Sequence, residues 1–290
     1  MARPIGATAP RVDLGIRLRY LRNSAGLTLE EVAKSLDGLS YDQLRRIEVG
    51  QSSFRSVGDL RKVLGLYGVA GDVELVSALE ELQKTPPSQD WMTQYRSVSD
   101  ATKSFAGIES AAQEVHAYHP NVILGLLQTE EYAWAQFREV QPIEETTSEF
   151  IEGNVALRMK RREPFLAEEH PTKLWVILGE AALRHPVGDA SVMLGQYEEL
   201  LRVAALPHVT LQVLLTDVPG RRLWSNFTIL DLGKGKPTTV TVDTGWGPVS
   251  MSDKPANVSR FRRWFSTMTA SAQTPEETPE IIEKLKREKR

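Results

Sequence analysis

The chain has 290 residues and a formal net charge of −3 at neutral pH, enough length for one small and one larger domain but no general basic excess that would attract polyanions or anionic membranes. It has no cysteine, which excludes disulfides, thiol catalysis and cysteine-ligated zinc and suits a reducing compartment. "MARPIGATAPRVDLG" lacks the apolar centre of a secretory signal and no stretch approaches the roughly 18 apolar residues of a membrane span, so a cytoplasmic protein without membrane contact is expected.

After a flexible arm expected over residues 1–12, "LGIRLRYLRNSAG" places Leu14, Leu18 and Leu21 on one helical face and ends at Gly26. Two short helices follow. Thr28 with Glu31, and Ser40 with Gln43, have the spacing of capping boxes, in which a hydroxyl accepts from an orphan backbone N–H and the third side chain reaches back. Gly38 supplies positive φ in the bend and Gly50 ends the second helix. Leu29, Val32, Ala33 and Leu36 on the first, with Leu44 and Ile47 on the second, give each helix one buried stripe, the layout of a helix-turn-helix. Ser56 and Asp59 start a fourth helix carrying Leu60, Val63, Leu64 and Tyr67.

The segment from Leu14 to about Val69 resembles the Xre-type helix-turn-helix regulators, on "LTLEEVAKSL" and on the Arg-Ile-Glu-x-Gly run Arg46–Gly50 that closes the second helix. The resemblance implies a DNA-binding domain over 13–69, with double-stranded DNA as partner and a homodimer as the working form. Recognition helices place their N-terminal half in the major groove, which points to Tyr41, Asp42 and, one turn on, Arg46 at base edges. The guanidinium fork of Arg46 matches the two acceptors of guanine, whereas Gln43 and Arg45 lie round the helix toward phosphate. Ser52 and Arg55 complete the candidate DNA-contacting set. The competing reading is an Arg46 that only pairs with Asp42 or Glu48 on a solvated face. Two departures from the family pattern weaken the DNA expectation: Leu29 stands where relatives often carry glutamine, and Asp42 places an acid on the recognition helix. Between Arg11 and Tyr67 ten basic residues face seven acids, a margin of three and a modest electrostatic footprint.

Residues 70–90 read as an acidic amphipathic helix followed by the proline-stiffened connector "TPPSQD". Beyond it, an α+β domain is expected over 91–271. "LGLLQTEEYAWAQFREV" and "SEFIEGNVALRMKRREPFL" read as helices, the second ending by Pro164; "TKLWVILGE", "VTLQVLL", "SNFTILDL" and "TTVTVDTG" read as strands of a mostly antiparallel sheet. "DASVMLGQYEELLRVAAL" and "KPANVSRFRRWFSTMTA" supply further helices, and 272–290 reads as a charged, solvated tail. The fold class is therefore α+β: an N-terminal all-α helix-turn-helix bundle, then a larger α+β domain.

Chemistry-bearing candidates in this domain are few. His116, His119, His170, His185 and His208 are scattered and form no metal-ligating spacing, so no metal is expected. Glu180, Arg184 and His185 follow a strand, where they either line a ligand or partner pocket or serve as a cap and turn. Arg158, Lys160, Arg161 and Arg162 read as a solvated helix end. Nucleophile elbow, P-loop and dinucleotide fingerprint are all missing, so neither an enzyme nor a cofactor is expected. The blocks "DWMTQYR", "YHPNVILGLLQTEEYA", "LRMKRRE", "LWVILGEAALRHPVG", "LPHVTLQVL" and "FTILDL" resemble the C-terminal domain of WhiJ-like, antitoxin-like regulators of actinobacteria. That resemblance implies a regulator whose C-terminal domain senses a ligand or binds a small protein partner encoded nearby.

Overall fold

The computed structural model describes residues 10–50, 52–84, 95, 97–167, 171–217, 223–233, 236–244 and 247–289. The chain divides into two compact units, one of residues 1–94 with 100–111 and 233–237, the other of 95–99, 112–232 and 238–290.

The first unit is helical: α1 (Pro10–Ser24), α2 (Leu29–Ser35), α3 (Tyr41–Glu48), α4 (Val57–Leu66), α5 (Val73–Lys84) and α6 (Asp100–Ser110). Its core joins Leu14 and Leu18 of α1, Val32 of α2, Leu44 and Ile47 of α3, Leu60, Val63 and Leu64 of α4, and Leu79 and Leu82 of α5. Three boundaries therefore shift. Helix α1 begins inside the expected arm, because Pro10 and Val12 are buried. The bundle runs past residue 69, because Leu79 and Leu82 give α5 an apolar stripe that closes this same core. Residues 100–111, expected in the second domain, group with the helical unit. The connector 85–90 lies outside the described residues.

The second unit has a six-stranded mixed sheet: β1 (Glu114–His119), β2 (Lys173–Gly179), β3 (Val209–Leu214), β4 (Phe227–Asp231), β5 (Thr239–Thr244) and β6 (Gly247–Ser252), in the order β3-β2-β1-β4-β5-β6. The first three strands run parallel and the other three pairings are antiparallel. Parallel neighbours need long crossovers. Here α7 (Glu130–Glu144) and α8 (Ser148–Leu166) join β1 to β2, and α9 (Glu180–Arg184) and α10 (Ala190–Ala204) join β2 to β3. Helix α7 starts at Glu130 rather than Leu124 because Thr129 caps it, accepting from Tyr132 N–H at 3.2 Å, after a one-turn 3-10 helix at Gly125–Leu127. Helix α8 carries Pro164 in its last turn and continues to Leu166.

One sheet face packs against α11 (Pro255–Ser271): Tyr118, Ile177, Leu214, Phe227, Ile229 and Val240 meet Phe265 and Met268. The expected solvated tail is instead structured. Helix α12 (Thr278–Glu288) buries Thr278, Ile282 and Leu285. Its first residue and the segment before it cover the outer edge of β3, with Gln273 N–H donating to Val213 O and Thr278 Oγ1 donating to Leu211 O, both at 2.9 Å. Two main-chain acceptors of an edge strand are thereby satisfied, which protects it from pairing with another chain.

Candidate nucleic-acid interface

Local capping builds the helix-turn-helix. Thr28 Oγ1 accepts from Glu31 N–H at 3.2 Å while Glu31 Oε2 accepts from Thr28 N–H at 2.7 Å, a complete capping box. The Thr28 N–H, and then the Thr28 hydroxyl that donates to the same oxygen at 2.8 Å, hold the Glu31 carboxyl below its ordinary range. At α3 only half of the expected box forms: Ser40 Oγ accepts from Gln43 N–H at 3.2 Å. Gly38 and Gly50 adopt φ of 85° and 77°, so both glycines sit where an L side chain would be strained.

A buried ion pair fixes α3 against α1. Arg22 Nε and Nη2 donate to Glu48 Oε1 and Oε2 at 2.6 and 2.9 Å, and Arg22 Nη1 donates to Leu27 O at 2.7 Å. Both side chains are nearly enclosed. Glu48 is thus the acid of the Arg-Ile-Glu-x-Gly run turned inward to lock the recognition helix, a role that sequence reasoning missed. Contact between the two helices is also close at Gly15, where a Cβ would lie 2.5 Å from Ile47 O and 2.7 Å from Glu48 O.

What α3 presents outward follows from helical geometry. Leu44, Ile47 and Glu48 are buried, and Tyr41, Asp42, Arg45 and Arg46 are exposed. At about 100° per residue those four exposed positions span an arc of about 140°, with Gln43 half-buried at its border. Among the described residues Arg46 makes no ion pair with Asp42 or with Glu48, whose partner is Arg22. Leu29 packs against the helical core, which accounts for an apolar residue at this position.

The segment after α3 is also held in place. Ser52, half-buried, donates its N–H to Arg46 O at 3.2 Å. Gln83 of α5 donates to Phe54 O at 2.7 Å and accepts from Phe54 N–H at 3.4 Å, next to the exposed Arg55. Gln83 escaped sequence reasoning because its partner is backbone 29 residues away. Four of the ten bases are engaged internally: Arg17 is bound to Asp13, Arg22 to Glu48, Lys62 to Asp59 and Arg61 to Glu80. On and just after the recognition helix the exposed bases are Arg45, Arg46 and Arg55.

The second-unit candidates take structural positions. Glu180 Oε2 accepts from Thr216 N–H at 2.9 Å and Oε1 from Arg184 Nε at 2.6 Å; Arg184 Nη1 reaches Glu288 of α12 at 3.0 Å. The Thr216 amide, then Arg184, lowers the Glu180 pKa, and the two carboxylates raise that of Arg184. These residues tie α9 to the end of β3 and to α12, while His185 is exposed beside them. The Arg158 run differs from the expected solvated helix end. Arg158 donates to Gln128 and to Gln136 and lies 4.8 Å over the Phe137 ring, Arg162 pairs with Glu199, and Arg158, Arg161 and Arg162 are all half-buried. Only Lys160 is exposed, paired with Glu163 at 2.6 Å.

The histidines stay apart. His116 stacks on Phe265, His208 Nε2 meets Phe165 O at 2.7 Å, and His170 lies outside the described residues. His119 is buried with Nδ1 unpartnered, and burial with the nearby Arg158 charge lowers its pKa to about 4. Among the described residues no three metal-binding side chains cluster, and no helix is long and apolar enough to cross a membrane.

A helix-turn-helix domain family matches residues 13–78, which contain the capped pair α2–α3 and the buried lock beneath it. A second family, described as a domain of unknown function (DUF5753), matches residues 102–284. No curated protein and no solved structure matches the chain. With more than half of its length inside that second match, the chain belongs to the DUF5753 family and carries an N-terminal helix-turn-helix domain.

Proposed function

We propose that the protein is a cytoplasmic, sequence-specific transcriptional regulator of the Xre type, akin to the WhiJ-like, antitoxin-like regulators of actinobacteria. In this reading it binds double-stranded DNA as a homodimer, and its DUF5753 domain binds a ligand or a small protein partner rather than turning over a substrate. The observation that carries this reading is the outward face of α3: Arg45 and Arg46 stand exposed on a short helix whose opposite face is locked by the Arg22–Glu48 pair. A rigid helix whose guanidinium groups make no ion pair among the described residues meets the geometric need of base readout, because the entropy of positioning the backbone is already lost on folding. Arg46 reads a guanine edge, Tyr41 and Asp42 meet neighbouring base edges, and Gln43, Arg45, Ser52 and Arg55 approach phosphate. Asp42 suits a cytosine amino group, the one base-edge donor on that strand of a G·C pair that an acid accepts from.

The test is binding by Arg46→Ala. Loss of a bidentate contact costs about 1–3 kcal/mol on the selected site and relaxes preference at one position, with a smaller change on random duplex. Equal losses on both would reassign Arg46 to phosphate.

A further inference from the structure

The second unit holds a cleft of about 370 Å³ that the proposed DNA-binding role does not use. Its floor is the sheet face that α11 leaves open at the N-terminal ends of β1 and β2, and its wall is α11 itself. Strand register orders the floor in rows. Asp231, Glu114 and Lys173 lie side by side on β4, β1 and β2, and Ile229, His116 and Trp175 form the next row. Phe265 of α11 closes the cleft over this second row: its ring stacks on His116 at 4.8 Å between centroids and meets Trp175 edge-on at 5.7 Å.

Two features select a ligand. The size is that of a small-molecule site, and the walls are largely aromatic and aliphatic. Charge is the second. Glu114 and Asp231 are direct cross-strand partners on an antiparallel pair, an arrangement that like charges make unfavourable. Arg262 answers one of them, pairing with Asp231 at 2.9 Å. Among the described residues the Glu114 carboxylate pairs with the imidazole of His116, at 3.0 Å, and with no Lys or Arg. Lys173 does not line this cleft, so its lining sets Glu114 and Asp231 against Arg262 alone and offers one carboxylate in excess beside ring surfaces that favour cations.

We infer that this cleft binds a small organic monocation, an ammonium joined to a flat apolar ring, with the ammonium at Glu114 and the ring against the cleft-facing surfaces of Trp175, Ile229 and Phe265. Successive rows on one strand face lie about 7 Å apart. That spacing sets the ammonium two or three carbons from the ring. The adjoining cleft of about 470 Å³ also borders on Glu114 and Trp175 but presents Lys173, which turns the ammonium toward the first. This assignment rests on the reading of the DUF5753 domain as a ligand-binding part and gives that ligand a chemical class.

The full chain without DNA is the material for the test, so the outcome stands apart from operator recognition. Binding of 3-phenylpropylammonium is measured by calorimetry and by saturation-transfer NMR, against 4-phenylbutanoate as the carboxylate of similar shape. The ammonium is expected to bind and the carboxylate not. Glu114→Gln, at a half-exposed strand end that keeps a partner for His116, weakens the ammonium about tenfold with thermal unfolding unchanged. Arg262→Ala acts in the opposite direction and tightens it, because it removes a cation that lines the cleft. A structural role alone would not give opposite signs. Equal binding of the two probes, an unaffected Glu114→Gln, or no binding of the ammonium up to about 10 mM would overturn the assignment.

Discussion

Replacing Glu48 by alanine tests whether the recognition helix is held by its buried ion pair. Arg22 and Glu48 meet through two hydrogen bonds of 2.6 and 2.9 Å, with side chains 10% and 6% exposed. With charge centres about 4 Å apart and an effective dielectric near 20, their attraction is about 4 kcal/mol. Removing Glu48 sacrifices that attraction and leaves a buried guanidinium without its counter-charge, still donating to Leu27 O, so the expected cost is about 3–5 kcal/mol. Replacing both residues by apolar ones of similar volume, Arg22→Met with Glu48→Leu, removes the stranded charge and should cost far less. The assay is urea unfolding of the full chain with hydrogen exchange of the α1 and α3 amides, which separates the helical unit from the rest. A single substitution costing under about 1 kcal/mol, or a double variant no better than the single, would refute a locked helix.

At Gly15, alanine must push its Cβ against Ile47 O and Glu48 O, at 2.5 and 2.7 Å, so Gly15→Ala should cost about 1–3 kcal/mol and lower DNA affinity; Gly38→Ala, with open space but φ of 85°, should cost only about 1–2 kcal/mol in the same unfolding assay. Truncation after Ser271 removes the cover of β3 and buried Ile282 and Leu285, so a lowered Tm and faster aggregation are expected by calorimetry and light scattering; Thr278→Val, which deletes the bond to Leu211 O, should cost about 1 kcal/mol. His119 titrates near pH 4 when folded against 6.5 as a free side chain, so the unfolded chain binds more protons between those values: its share of stability is full above pH 6.5 and falls by about 3 kcal/mol as pH drops to 4. His119→Leu should flatten that part of the pH–stability curve, and an unchanged slope would contradict the burial argument.

The helical unit was legible because its signals are local. Caps at Thr28 and Ser40, glycines at 38 and 50 and the leucine stripes each act within a few residues, and the structure reproduces them. Its lock was not, since Arg22 and Glu48 are 26 residues apart and each reads as a surface charge. In the second unit β2 to β5 were legible as β-branched runs, whereas β1, "EVHAYH", has four titratable residues in six positions and is a strand because of where it lies between β2 and β4. With β1 unseen, neither the parallel half of the sheet nor the cleft on its open face could be anticipated. The tail misled for the same reason: its charges outnumber Ile282 and Leu285, and only the neighbouring β3 edge gives those residues something to cover.

Selection of duplexes from a random DNA library by the full chain tests the central claim most directly. Two recognition helices related by a two-fold axis should enrich a palindrome with half-sites about 10 base pairs apart, centre to centre. Arg46→Ala should select a site in which one guanine position per half-site has become degenerate. A library that emerges unenriched, or the same fully specified palindrome selected by Arg46→Ala as by the native chain, would contradict sequence readout by α3.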